Sequence, residues 1–267
     1  MEERWTTVRG LRIHSWASSG RAGAPVVLAH GLVISGLYML PLAKALAGEY
    51  SVHVLDLPGF GASEGPAHAL DMPELADFIL EWMTAVGMDR SHVVANSMGC
   101  QVVAHCAVKA PARVETLSLI GPTIDPAAHH VHSQLVHLLR DAIQEPPRLW
   151  VKWARDFFRS GLRRALETTR AMFQDYIERQ LPRVECRTLV IRGEKDPTMP
   201  QAWGEQAAAL LRQSHLEVIR GAPHCAHFTN PELVAALVTD HIAGKHAGAA
   251  GKGRASRRDQ EIRTAVP

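Results

Sequence analysis

Long apolar runs are missing from the 267 residues: the longest, such as Pro25 to Ala29, fall far short of the roughly 18 residues a membrane span requires. The opening Met1-Glu2-Glu3-Arg4 does not read as a signal peptide, so a cytoplasmic protein with no membrane partner is expected. Cysteine is scarce. Cys100, Cys106, Cys186 and Cys225 show neither the close pairing of a zinc site nor the density of a secreted disulfide scaffold, which leaves free thiols as the default. Charge of one sign is missing too: Lys+Arg 29 against Asp+Glu 27 gives +2, and the basic surplus lies in residues 244–267 (Lys245, Lys252, Arg254, Arg257, Arg258 and Arg263 against Asp259 and Glu261). The remaining body is slightly acidic and carries no basic stripe to neutralise phosphates, which excludes a nucleic-acid-binding domain. No internal repeat occurs at a period of about 20–50 residues, so a solenoid or propeller is excluded.

What is present is an ordinary globular composition, 46% hydrophobic and 21% charged, with enough apolar residues for a sizeable core. Apolar alternation on either side of Arg9-Gly10 suits a β-hairpin at a sheet edge. After it, short apolar runs at 25–29, 52–55, 92–95, 116–120, 188–191 and 216–219 predict six buried strands. Helical periods at 36–48, 73–87, 98–109, 201–212 and 231–243 fall between them, with Asp71-Pro73 and Asn230-Pro231 as start signals. Strands alternating with helices predict an α/β fold, a mostly parallel twisted sheet flanked by helices. From 122 to 183 no strand is credible, so an all-helical insertion is expected there. That divides the chain into a body of 1–121 and 184–243, a helical cap of 122–183, and a basic tail, 244–267, expected to be disordered.

The chemistry begins at Ala95-Asn96-Ser97-Met98-Gly99, where a strand runs straight into a helix with a serine at the corner. A nucleophile on so sharp a turn sits at strained backbone angles, and only small side chains fit two positions either side of it. A serine hydroxyl needs a base to take its proton and an acid to orient that base. Asp196, in Arg192-Gly193-Glu194-Lys195-Asp196-Pro197, and His224, in Gly221-Ala222-Pro223-His224, each follow a predicted strand, on the edge where open α/β sheets build their sites. His30-Gly31-Leu32 follows the first parallel strand. The amides of Leu32 and Met98 could together stabilise an oxyanion.

Taken with the turn Asp56-Leu57-Pro58-Gly59-Phe60-Gly61-Ala62-Ser63 and the histidine loop up to Glu232, these motifs resemble the α/β-hydrolase superfamily over about residues 5–243, in particular serine hydrolases with a helical cap, such as carboxylesterases and the C–C bond hydrolases of ring-cleavage products. The resemblance implies Ser97 as nucleophile, Asp196 as acid, His224 as base, and Leu32 and Met98 as oxyanion-hole amides. Ala95 stands where the strict pattern has glycine, and Pro223 where relatives often carry a second glycine. The activity implied is hydrolysis of a small-molecule carboxylic ester through an acyl-enzyme, with no metal or organic cofactor. A ring-cleavage dienoate-type substrate ranks second, because Leu32-Val33-Ile34-Ser35-Gly36 lacks the Ser-Gly-Pro-Gly stretch those enzymes often carry. A non-catalytic ligand-binding protein and a cofactor-free oxygenase or haloperoxidase-like side activity are further alternatives on the same fold.

Among competing residues, Asp125 could replace Asp196 but reads better as a helix cap, Asp56 as a holder of backbone turns, His227 as a packed neighbour, and Cys225 as a small buried filler. His129, His130, His132 and His137 lack a carboxylate partner and do not make a metal site. In the insertion, Trp150, Trp153, Phe157 and Phe173 are the candidates for binding an apolar acyl or aryl group. Leu135, Leu138, Leu139, Phe158, Met172 and Tyr176 could line the same pocket or form the insertion's own core. The sequence carries no signal for oligomeric state.

Overall fold

The computed structural model describes residues 1–18 and 23–245, without the side chains of 131–135 and 138; the predicted tail beyond 245 therefore lies outside the described residues. Eight strands form one sheet: β1 (Glu2–Val8), β2 (Leu11–Ala17), β3 (Pro25–Ala29), β4 (Ser51–Leu55), β5 (Ser91–Asn96), β6 (Val114–Ile120), β7 (Arg187–Gly193) and β8 (Ser214–Ile219). The order across the sheet is β1-β2-β4-β3-β5-β6-β7-β8. The hairpin turns at Arg9-Gly10, both at positive φ, and adds to the parallel strands through an antiparallel β2–β4 pair. From β4 to β8 every pairing is parallel.

The period-2 alternation of each strand divides the core between the two faces of the sheet. Val27, Ala29, Val93, Ala95, Leu117, Leu119 and Val190 pack on one side with α2 (Met72–Ala85), α3 (Met98–Lys109) and α7 (Gln201–Leu210). Val26, Leu28, Val52, Val54, Val94, Leu189 and Ile191 pack on the other with α1 (Leu40–Leu46), α8 (Ala226–Thr229) and α9 (Pro231–Ile242). Helix α2 starts where expected because Asp71 accepts from the Glu74 N–H while Glu74 reaches back to the Asp71 N–H, with Pro73 in the first turn. The period at 36–48 resolves into a short 3-10 turn over Gly36–Tyr38 followed by α1, whose first turn holds Pro41. Of the six strands expected to be buried, β8 departs from that reading. As the edge of the sheet it is only partly covered.

Between β6 and β7 the described residues contain helices and no strand: α4 (Val131–Gln144), α5 (Pro147–Gln174) and α6 (Ile177–Gln180). Helix α5 bends at Gly161, whose φ of 77° breaks the helical geometry. The chain passes from β3 to β4 on one side and then back across β3 to β5 on the other. That reversal puts the loops after β3 and β5, carrying Gly31 and Ser97, at the point where open α/β sheets form a crevice.

Candidate active site

Ser97 stands between β5 and α3 at φ 58°, ψ −128°, a left-handed conformation that a non-glycine residue adopts only under strong constraint. Its N–H donates to Ile120 O at 2.9 Å, which ties the corner to β6. A Cβ on Gly99 would come within 2.6 Å of His30 O, so α3 can start against the β3 loop only with glycine there. A Cβ on Gly31 would likewise press on the Ser97 Cβ at 3.1 Å. The amides of Leu32 and Met98 engage no protein acceptor among the described residues, as the first amide of a helix and a turn amide beside it can.

Asp196 and His224 are joined directly. His224 Nδ1 lies 2.7 Å from Asp196 Oδ2, and the other carboxylate oxygen accepts the Thr198 N–H (2.8 Å), the Thr198 hydroxyl (2.7 Å) and the Met199 N–H (3.1 Å). Burial alone would raise the Asp196 carboxyl. The charge and hydrogen bond of His224 and the Thr198 donors outweigh it and hold that carboxyl below its usual range. Burial would lower the His224 imidazole, but Asp196, with Asp141 and Glu145 behind it, pushes it up to about 9. With Nδ1 engaged, Nε2 is buried without a partner; no hydrogen bond joins it to Ser97 among the described residues. Gly121, at φ 56°, packs against both: a Cβ there would meet the His224 ring at 2.8 Å and Asp196 Oδ2 at 3.2 Å.

Several supporting groups carried no signal in the sequence. Tyr38 accepts the Gly31 N–H (2.7 Å) and donates to Asn96 Oδ1 (2.8 Å), while Asn96 Nδ2 donates to Ile120 O (3.0 Å) and His224 O (3.4 Å). One buried chain of hydrogen bonds thus links the loops of Gly31, Ser97 and His224. Two carboxylates from the segment between β6 and β7 reach the same region. Asp141 Oδ1 accepts the His224 N–H at 3.0 Å and Glu145 Oε1 the Cys225 N–H at 2.7 Å. Both are buried, which raises both; Glu145, beside Asp141, goes to about 7, and its Oε2 has no partner. A third carboxylate, Asp156 on α5, accepts from the Ser35 N–H at 2.8 Å and from its hydroxyl, so these helices are pinned on the β3 loop as well as on the His224 loop.

The sequence profile of the alpha/beta hydrolase family matches residues 26–237. The chain belongs to that family. It is 28% identical over 246 residues to the putative carbamate hydrolase RutD of Escherichia coli, covering 83% of this chain and 90% of that protein. A dihydrolipoyllysine-residue acetyltransferase component of an acetoin cleaving system, from Cupriavidus necator, is 35% identical over 123 residues, 45% of this chain; the match spans only 32% of that relative's length. Among solved structures, a thermophilic esterase from Thermogutta terrifontis superposes with a TM-score of 0.77 at 21% identity, covering 92% of this chain and 100% of the esterase, a likeness of fold.

In this family member the other sequence-named residues take modest places. Asp125 caps a 3-10 turn by accepting the Ala127 N–H, and Asp56 accepts the Gly36 and Ala62 N–H groups and meets His14 Nδ1 at 2.9 Å. His227 is fully buried against Tyr38 and held down to about 3 by burial and by His224, so it stays neutral. The Cys225 thiol is pushed up by burial and by Glu145, which makes it a poor nucleophile. His129 stacks on Tyr176 and meets the Phe173 carbonyl; among the described residues no group of three His, Cys, Asp or Glu side chains could hold a metal ion, and the side chain of His132 lies outside them. Phe157 and Phe173 are half-buried, and Met172 is in the core. Trp150 and Trp153 are 44% and 42% exposed, and Phe158 and Leu139 face outward; the side chains of Leu135 and Leu138 lie outside the described residues. No helix among the described residues is long and apolar enough to cross a membrane.

Proposed function

We propose that the protein is a serine hydrolase that cleaves a small-molecule carboxylic ester with Ser97 as nucleophile, His224 as base and Asp196 as the acid that orients it. The observation that carries this reading is the buried Asp196–His224 pair at 2.7 Å, with an unpartnered Nε2, on the same rim as a serine at φ 58°. Neutral His224 would take the Ser97 proton as the oxygen attacks the ester carbonyl, and the amides of Leu32 and Met98 would receive the developing oxyanion, each contributing about 3 kcal/mol. His224 would then return the proton to the leaving alcohol and activate the water that releases the acid.

In this reading residues 1–121 and 184–243 form the α/β body and 122–183 a cap over its rim. The half-buried Phe157 and Phe173 are the best-covered candidates to receive an apolar acyl or aryl group, with Trp150 and Trp153 further out on the same helix. The alpha/beta hydrolase membership and the relation to a putative carbamate hydrolase support a hydrolytic reaction. The test is a fluorophosphonate probe with intact mass, followed by aryl esters of increasing acyl length. A single adduct on the wild type, none on Ser97→Ala and labelling at least about 100-fold slower on His224→Ala are expected. A folded wild type that neither labels nor hydrolyses any ester would overturn the reading in favour of a binding role.

A further inference from the structure

Exposed apolar side chains are concentrated in one part of the molecule. Of the twelve large hydrophobic residues exposed among the described ones, nine lie on α4 and α5: Val136, Leu139, Ile143, Trp150, Val151, Trp153, Phe158, Leu162 and Leu166. Their spacing is helical, with Val136, Leu139 and Ile143 sharing one side of α4. Val151 and Phe158 are seven apart on α5, about half a turn from the buried Leu149 and Asp156, and beyond the bend at Gly161 the exposed Leu162 and Leu166 are four apart on one side of the second half. Ile143 is 87% exposed, Phe158 81% and Val151 71%, values that a lone tolerated surface residue can reach but a periodic row rarely does.

The solvent side of the same two helices is rich in arginine, although Glu167 pairs there with Arg163 and Arg164 turns inward to the Pro66 carbonyl. Asp141, Glu145 and Asp156 face inward, where they hold the backbone of His224, Cys225 and Ser35. Arg140, Arg148, Arg155, Arg159, Arg163 and Arg170 face solvent, and Arg140, Arg159 and Arg170 meet no carboxylate among the described residues. Apolar side chains flanked by unneutralised cations form the surface that an anionic lipid bilayer accepts, the apolar row entering the acyl boundary and the guanidinium groups meeting phosphates. A second copy is a worse occupant: a two-fold contact of this face with itself would set arginine rows against each other.

We propose that the outward face of α4 and α5 docks on the surface of an anionic membrane, without spanning it. This contact is independent of the reaction assigned to Ser97 and goes beyond the expectation of no membrane partner, which rested on the missing span. The rim covered by the insertion would then open beside the lipid phase.

The test is flotation of the full chain with vesicles of phosphatidylcholine alone and with added phosphatidylglycerol, alongside tryptophan emission and light scattering after gel filtration. Binding to the anionic vesicles that weakens with salt, with a blue shift of the tryptophan emission, is expected. Partitioning should fall about tenfold or more in Val151→Glu/Phe158→Glu, and by a similar factor on anionic vesicles in Arg140→Glu/Arg159→Glu. Circular dichroism checks that both pairs are folded, and none of the four residues belongs to the proposed catalytic groups. Equal, salt-insensitive partitioning to both vesicles, or no partitioning, would overturn the proposal. A wild-type dimer that Val151→Glu/Phe158→Glu turns into monomer would overturn it in favour of a second copy.

Discussion

Asp141 Oδ1 accepts the backbone N–H of His224 at 3.0 Å, so a carboxylate on α4 grips the residue whose ring is bonded to Asp196. His224 is therefore surrounded by negative charge from Asp196, Asp141 and Glu145, and its titration should report all three.

A raised imidazole must lose its proton before it can accept one from Ser97. With His224 pushed up to about 9, kcat/KM should rise with pH on a limb whose midpoint lies well above the usual 6.5. Removing the charge in Asp141→Asn, which keeps an oxygen acceptor for the His224 N–H, should move that midpoint down by roughly half a unit. A pH–rate profile of the two proteins on one ester checks this, and an unmoved limb would show that Asp141 does not act on the base.

Thr198 donates its hydroxyl to Asp196 Oδ1 and also lies 2.8 Å from His224 Nδ1. Thr198→Val keeps the shape and the backbone donor but removes the hydroxyl. We expect kcat to fall about tenfold with KM little changed, and stability to drop by about 1–3 kcal/mol, the cost of a hydrogen bond to a buried charge. Steady-state kinetics and urea unfolding measure the two effects.

Glu145 changes stability in the opposite sense to a paired carboxylate. Its native value, about 7, lies above its unfolded one of 4.5, so the native state binds the extra proton and stability falls as pH rises through that interval. Glu145→Gln keeps an acceptor for the Cys225 N–H without the charge. Its Tm should gain on the wild type from pH 4.5 to about 7 and hold the advantage above, with a ceiling on the order of 3 kcal/mol. A constant Tm difference across that range would contradict the assignment.

Gly121 leaves room for the His224 ring and Asp196. Gly121→Ala puts a methyl where the His224 ring and Asp196 stand and forces alanine to φ 56°. Activity should fall at least about 100-fold while far-UV circular dichroism is retained, and fluorophosphonate labelling should fall in parallel.

The parts of the fold legible in the sequence are those set by neighbours along the chain. Alternation in the strands, the Asp71–Glu74 box and the strand-to-helix corner at Ser97 each depend on a few consecutive residues, and the structure returns them close to where the sequence puts them. The edge position of β8 was not legible, because a short apolar run reads the same whether one or both of its faces are covered.

By itself the sequence determined the element pattern, the family motifs and the order Ser97, Asp196, His224, because backbone preference and periodicity act locally. The tertiary structure alone decided what meets across long separations: Tyr38 with Asn96, Asp141 with His224, Asp156 with Ser35. It also decided which side of α5 faces solvent. Helical spacing says which residues share a face, but burial is set by whatever packs against it, and so the aromatic and arginine rows of the insertion show their exposure only in three dimensions.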